Sequence, residues 1–140
     1  MRRPIVGILL CALALASAGC TSNTTPTTPT TPTVKTETFT GTLNQNGAVT
    51  NTFLTASSGQ VIATLTAVGP DATLPIGFSL GTYSTTLNVC QVVLANDLAV
   101  QGAILTGAAS TQGAYCVRVY DTGKVTPDNP FTFTITVAHP

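Results

Sequence analysis

Chemistry has few places to occur in this sequence. A hydrolase needs a nucleophile and a general base within hydrogen-bond reach. The only histidine, His139, stands one residue from the C-terminus, where solvent exposure is the expectation. The carboxylates Asp71, Asp97, Asp121 and Asp128 lie near Gly, Pro or Asn in predicted turns, where Asp serves turn geometry alone. Two of them with backbone carbonyls would be the ingredients of a calcium site, but their spacing forms no calcium-loop motif. No glycine-rich loop precedes a helix, so that route to a phosphate cradle is absent. These residues predict no metal, no cofactor and no enzyme. Trp is absent, which leaves Tyr83 in a predicted loop and Tyr120 on the outward face of its strand as candidate glycan contacts. Tyr115 and the phenylalanines are read as core.

The bulk composition narrows the partners. The 140 residues are enough for one domain, and 5 Lys+Arg against 5 Asp+Glu leave no basic surplus to neutralise phosphates, so nucleic acid is not expected. Only 7% of residues are charged and Thr is abundant, which points outside the cytoplasm.

The N-terminus states an address. Arg2 and Arg3 precede the apolar run Ile5 to Ala16, about 12 residues against the roughly 20 of a spanning helix, and small residues follow. This is the pattern of a secretory signal. The segment ends Ser17-Ala18-Gly19-Cys20, which resembles the lipobox of bacterial lipoproteins. The resemblance implies a diacylglycerol on Cys20 and cleavage that leaves Cys20 as the first residue. Ser17 stands where the lipobox prefers Leu, so ordinary cleavage after Ala18 or Gly19 with a free Cys20 is the alternative. The paired arginines lack the flanking residues of a twin-arginine export signal. Thr21 replaces the Asp that resembles an inner-membrane retention signal, which places the protein on the outer membrane or surface of a two-membrane cell. In a one-membrane cell the expected place is the outer leaflet.

Loss of residues 1–19 leaves Lys35, Arg118 and Lys124 against Glu37, Asp71, Asp97, Asp121 and Asp128, a mildly acidic chain. Cys11 departs with the leader and Cys20 carries lipid, so Cys90 and Cys116 remain as the pair in an oxidising compartment. A disulfide between them would enclose about 26 residues and stabilise by about 3 kcal/mol on the loop-entropy argument. Two reduced thiols are the alternative, and no nearby His or third Cys completes a metal site.

Residues 20–36 read as a disordered linker. Pro26, Pro29 and Pro32 recur every third residue among threonines, which favours polyproline II at about 3.1 Å per residue and a reach of roughly 50 Å. Thr beside Pro is also the composition of O-glycosylated stalks, and Asn23-Thr24-Thr25 fits an N-glycosylation sequon.

Residues 37–140 must then build the fold. Short alternating runs separated by Gly, Asn, Asp and Pro predict an all-β domain of about eight strands, a single antiparallel β-sandwich of two sheets with one core. The first strand covers Thr38 to Leu43, and Asn44 to Gly47 make a hairpin turn with Gly47 at positive φ. The second covers Val49 to Ala56. The third, Gln60 to Val68, aligns Val61, Ala63, Leu65 and Ala67 against a second apolar face and so reads as central. A fourth carries Ile76, Phe78 and Leu80; a fifth runs Leu87 to Leu94 with Cys90 inside it; a sixth is a short edge at Gln101 to Thr106. The last two alternate most cleanly, with Tyr115, Val117 and Val119 in one and Phe131, Phe133, Ile135 and Val137 in the other. Helix is expected to be nearly absent.

The stretches Gly41-Thr42-Leu43, Phe53, Ser58-Gly59-Gln60-Val61 with Leu65-Thr66, and Gly113 to Asp121 followed by Phe131 to Val137 resemble the bacterial pre-peptidase C-terminal domain. The resemblance spans most of residues 37–140. It implies a jelly-roll-like sandwich without catalytic residues, associated with secretion, localisation or substrate attachment of secreted enzymes. Two departures stand out: the acidic middle of many members is reduced to Asp71, and no peptidase domain precedes this one. The expected function is a lipid-anchored surface module, binding or structural, whose partner is an envelope polymer, a glycan or a protein. An accessory subunit of an exported hydrolase is the alternative.

Overall fold

The computed structural model describes residues 33–140; the leader, Cys20 and the linker up to residue 32 lie outside the described residues. Eight strands follow in order: β1 Lys35–Leu43, β2 Ala48–Thr55, β3 Gly59–Gly69, β4 Ile76–Ser84, β5 Val89–Ala99, β6 Ile104–Ala109, β7 Gly113–Tyr120 and β8 Phe131–His139. No helix occurs among the described residues. One sheet has the order β1-β8-β3-β6 and the other β2-β7-β4-β5, all pairs antiparallel. This is the strand order of an eight-stranded jelly roll. Every connection except β4–β5 crosses from one sheet to the other, so nearly all pairing joins distant parts of the chain.

The period-two pattern decides what lies inside. Phe131, Phe133, Ile135 and Val137 of β8 and Val61, Ala63 and Leu65 of β3 face Phe78, Leu80, Val117 and Val119 of the second sheet, all buried. Removing these side chains from water supplies about 25 cal/mol per Å² of apolar surface, the main favourable term in folding. The other face of the first sheet is a threonine surface. Thr36, Thr38, Thr40 and Thr42 of β1 run beside Thr132, Thr134 and Thr136 of β8, with Thr64 and Thr66 of β3 next to them. Thr is tolerated there because a branched side chain suits an exposed pleated surface.

Several expectations need correction. β1 starts at Lys35, two residues before the expected boundary, because Lys35 and Thr36 pair with His139 and Ala138. Residues 44–47 do not make a hairpin within a sheet; β1 pairs with β8, and the turn carries the chain across to β2. Asn46, at φ 53°, takes the left-handed conformation there instead of Gly47. In β3 a bulge between Leu65 and Ala67 shifts the phase, so that Val68 is buried in place of Ala67. β5 extends to Ala99, which puts Asp97 in a strand, and β6 begins at Ile104. Gly102, at φ 91°, makes the turn before β6, whereas Gly107 lies inside that strand against Leu80. Two register shifts in β5 leave Val93 and Leu98 projecting from an edge that would otherwise invite pairing.

One carboxylate ties an end of the sandwich together. Asp121 Oδ1 accepts hydrogen bonds from the backbone N–H groups of Gly123, Lys124 and Val125 at 2.8, 2.8 and 3.0 Å. Its Oδ2 accepts from the Asn46 N–H at 2.8 Å, which joins the β7–β8 loop to the β1–β2 turn. Burial opposes the charge, but the four donors outweigh it and hold the carboxyl below its ordinary value. Such a group stabilises when ionised, and its contribution is lost as pH falls through the lowered value. Asp121→Ala is therefore expected to cost about 1–2 kcal/mol at neutral pH. Denaturant unfolding of both proteins checks this: the gap should narrow in acid, and an equal gap at both pH values would remove the ionised carboxylate as the cause.

Candidate functional site

The outer face of the second sheet differs from the threonine face because β4 presents almost no side chains there. Gly77, Ser79 and Gly81 point outward along β4, and their neighbours close over them. A Cβ on Gly77 would collide with the ring of Tyr120, and one on Gly81 would collide with the backbone carbonyl of Gln91. Gly81 also lies at a register shift between β4 and β5. Here β5 passes over β4, and Cys90 reaches Cys116 on the far side of that strand. Their Sγ atoms are bonded, with the Cα atoms 5.8 Å apart. Neighbouring strands are about 4.8 Å apart, so strands flanking a third are normally too distant for this bond. The bulge and the missing side chain make it accessible.

The curled end of the β4–β5 hairpin and the β2–β7 surface enclose a cleft of about 380 Å³. Tyr83, Asn88, Val89 and Cys90 line it from the hairpin, Ala48, Thr50 and Thr52 from β2, and Arg118 from β7. Tyr83, expected in a loop, belongs to β4 and pairs with Cys90, because β4 continues to Ser84. Asn88 turns the chain into β5 with φ 52°.

Tyr120 stands on the same outer face but does not line the cleft. Its ring covers Gly77 and its hydroxyl donates to Asp97 Oδ1. Burial, and after it the hydrogen bond to Asp97, pushes the Tyr120 hydroxyl up to about 12, so it remains a neutral donor. The Arg118 guanidinium carbon lies 5.5 Å from the Tyr120 ring centroid, within cation–π range. Tyr120 thus supports Arg118, and Arg118 faces the cleft. Arg118 was absent from the sequence reading as a site residue. Its alternation with Cys116 and Tyr120 placed it on the outward face, but nothing local showed which hairpin would fold against it.

His139 overturns the expectation of solvent exposure: its side chain is 1% exposed. It continues the inward phase of Phe131, Phe133, Ile135 and Val137, a signal present in the strand's own alternation. The ring lies 5.0 Å from that of Phe53, with Nε2 3.3 Å from Glu37 Oε1 and Nδ1 3.2 Å from the Pro140 carbonyl. Lys35 Nζ also reaches Glu37 Oε1, at 2.6 Å, and the Glu37 carboxyl sits below its ordinary value, first through Lys35 and also through His139. Asp71 is bound locally, accepting from the Thr73 N–H and hydroxyl at 2.8 Å each. Among the described residues, no three His, Cys, Asp or Glu side chains gather where a metal ion could be shared.

No protein-family model matches the chain, and no curated protein matches it. Replacing Cys90 and Cys116 together by Ser is expected to cost about 3 kcal/mol and to release the hairpin. Native-state hydrogen exchange at residues 82–91 reads this out. It should accelerate well beyond the rest of the sheet, and unchanged protection would mean that packing alone holds the hairpin.

Proposed function

We propose that this chain is a lipid-anchored, non-enzymatic module of the cell envelope. Residues 20–36 hold the sandwich away from the membrane, and the cleft on the second sheet contacts a glycan. The cleft is the observation that supports the glycan contact, and the N-terminal sequence supports the anchor. It combines the Tyr83 ring, the Thr50 and Thr52 side chains, the Asn88 amide and one guanidinium, the mixture of apolar surface and orienting polar groups expected of a ligand site. It contains no nucleophile with an adjacent base, since Cys90 is in a disulfide and His139 lies against Glu37 and Phe53. The second reading, an accessory part of an exported hydrolase, draws support from the jelly-roll strand order that the pre-peptidase domain resemblance implies.

Anchoring and binding are tested separately. Cys20→Ser is expected to move the protein from the membrane to the soluble fraction of cells, and unchanged sedimentation with membranes would overturn the lipid anchor. The full chain should co-sediment with isolated cell envelope or with an insoluble polysaccharide, and Tyr83→Ala should weaken that binding roughly two- to tenfold. Saturable binding that is indifferent to Tyr83→Ala would move the contact elsewhere on the domain.

A further inference from the structure

We propose that the cleft selects acidic glycans, with Arg118 gripping a carboxylate on the sugar; this rests on the glycan reading above and names its ligand class. Among the described residues Arg118 is the only charged one lining the cleft, and no carboxylate of these residues lines it. Lys35 pairs with Glu37 and His139 contacts the same carboxylate, so among the described residues Arg118 has no direct ion-pair partner. Asp97 accepts the Tyr120 hydroxyl and forms no ion pair with Arg118, and the Tyr120 ring lies beneath the guanidinium. The guanidinium is thereby supported from one side by a neutral aromatic surface. On the other it faces a space bordered by Thr50 and Thr52, next to Arg118 on β2, and by Tyr83 across the cleft. A planar fork of N–H donors held in this way matches a carboxylate in two-pronged fashion. A sugar ring carrying that carboxylate can lay its apolar face on Tyr83 while its hydroxyls meet Thr50, Thr52 and Asn88. A neutral sugar would leave the guanidinium partly desolvated without a partner, which is a cost that an acidic sugar avoids.

The test uses the full chain with two soluble polymers of the same backbone, polygalacturonate and its methyl ester, and with neutral dextran. Affinity electrophoresis gives the strength of each interaction. Polygalacturonate is expected to retard the protein at least about tenfold more strongly than its ester, with the difference shrinking as salt is raised. Arg118→Gln should remove that preference, and Arg118→Lys, which keeps the charge but not the fork, should retain part of it. Thermal unfolding of each variant confirms that it is folded, and the comparison of the two polymers needs no variant at all. Equal retardation by polygalacturonate and its ester, sensitive to Tyr83→Ala but not to Arg118→Gln, would overturn the acidic preference and leave the glycan reading intact. No retardation by polygalacturonate would also overturn it. Retardation that survives Arg118→Gln unchanged would do the same by placing the acidic contact on another cation.

Discussion

At Gly81 the backbone of β5 passes over β4 so closely that a methyl group would strike the Gln91 carbonyl. The outer face of the second sheet depends on that approach. A flat sheet would keep Cys90 and Cys116 two strand spacings apart, beyond the reach of a disulfide. The register shift next to Gly81 supplies the curl, and the bond then holds it. The same curl brings Tyr83 and Asn88 opposite Thr50, Thr52 and Arg118. Disulfide and cleft therefore share one local cause, a glycine at a bulge.

The core is organised by a different rule. Because only β4 and β5 are neighbours in both sequence and sheet, nearly every pairing must close a long loop before it is rewarded. The inward alternation in β3, β7 and β8 makes those pairings specific, since a one-residue slip would turn the buried row to solvent. Two hydroxyls at one margin of this core find backbone partners. Thr55 donates toward the Thr111 and Gly113 carbonyls, and the Tyr115 hydroxyl donates to the Thr111 carbonyl. Asp121 collects four backbone donors at the opposite ends of β2 and β7.

The two outer faces differ in their capacity for recognition. The threonine face carries hydroxyls and methyl groups at regular intervals and none of the charged side chains of β1, since Glu37 follows the phase of Phe39 and Leu43. The second face carries the cleft, with a tyrosine, an amide and a supported guanidinium. In a chain so poor in charge, one cation without an ion-pair partner in a concave site has few competitors for an anion.

Strand content and core identity were legible in the sequence because a strand's two faces alternate in the chain itself. Phe131 to Val137 and Tyr115 to Val119 needed no tertiary information, and continuing the same count two residues further would have placed His139 inside. The pairing of Cys90 with Cys116 was legible by elimination, since the other two cysteines, Cys11 and Cys20, fall in the segment expected to be a leader ending in a lipobox-like sequence. The cleft was not legible. Thr50, the hairpin carrying Tyr83 and Asn88, and Arg118 lie far apart in the chain, and a bulge whose position no local propensity specifies brings them together. The shift from Ala67 to Val68 in β3 and the choice of Asn46 over Gly47 in the turn were hidden for the same reason. Alternation is a property of consecutive residues, whereas register, curl and the path of one strand over another are set by partners the strand meets only after folding.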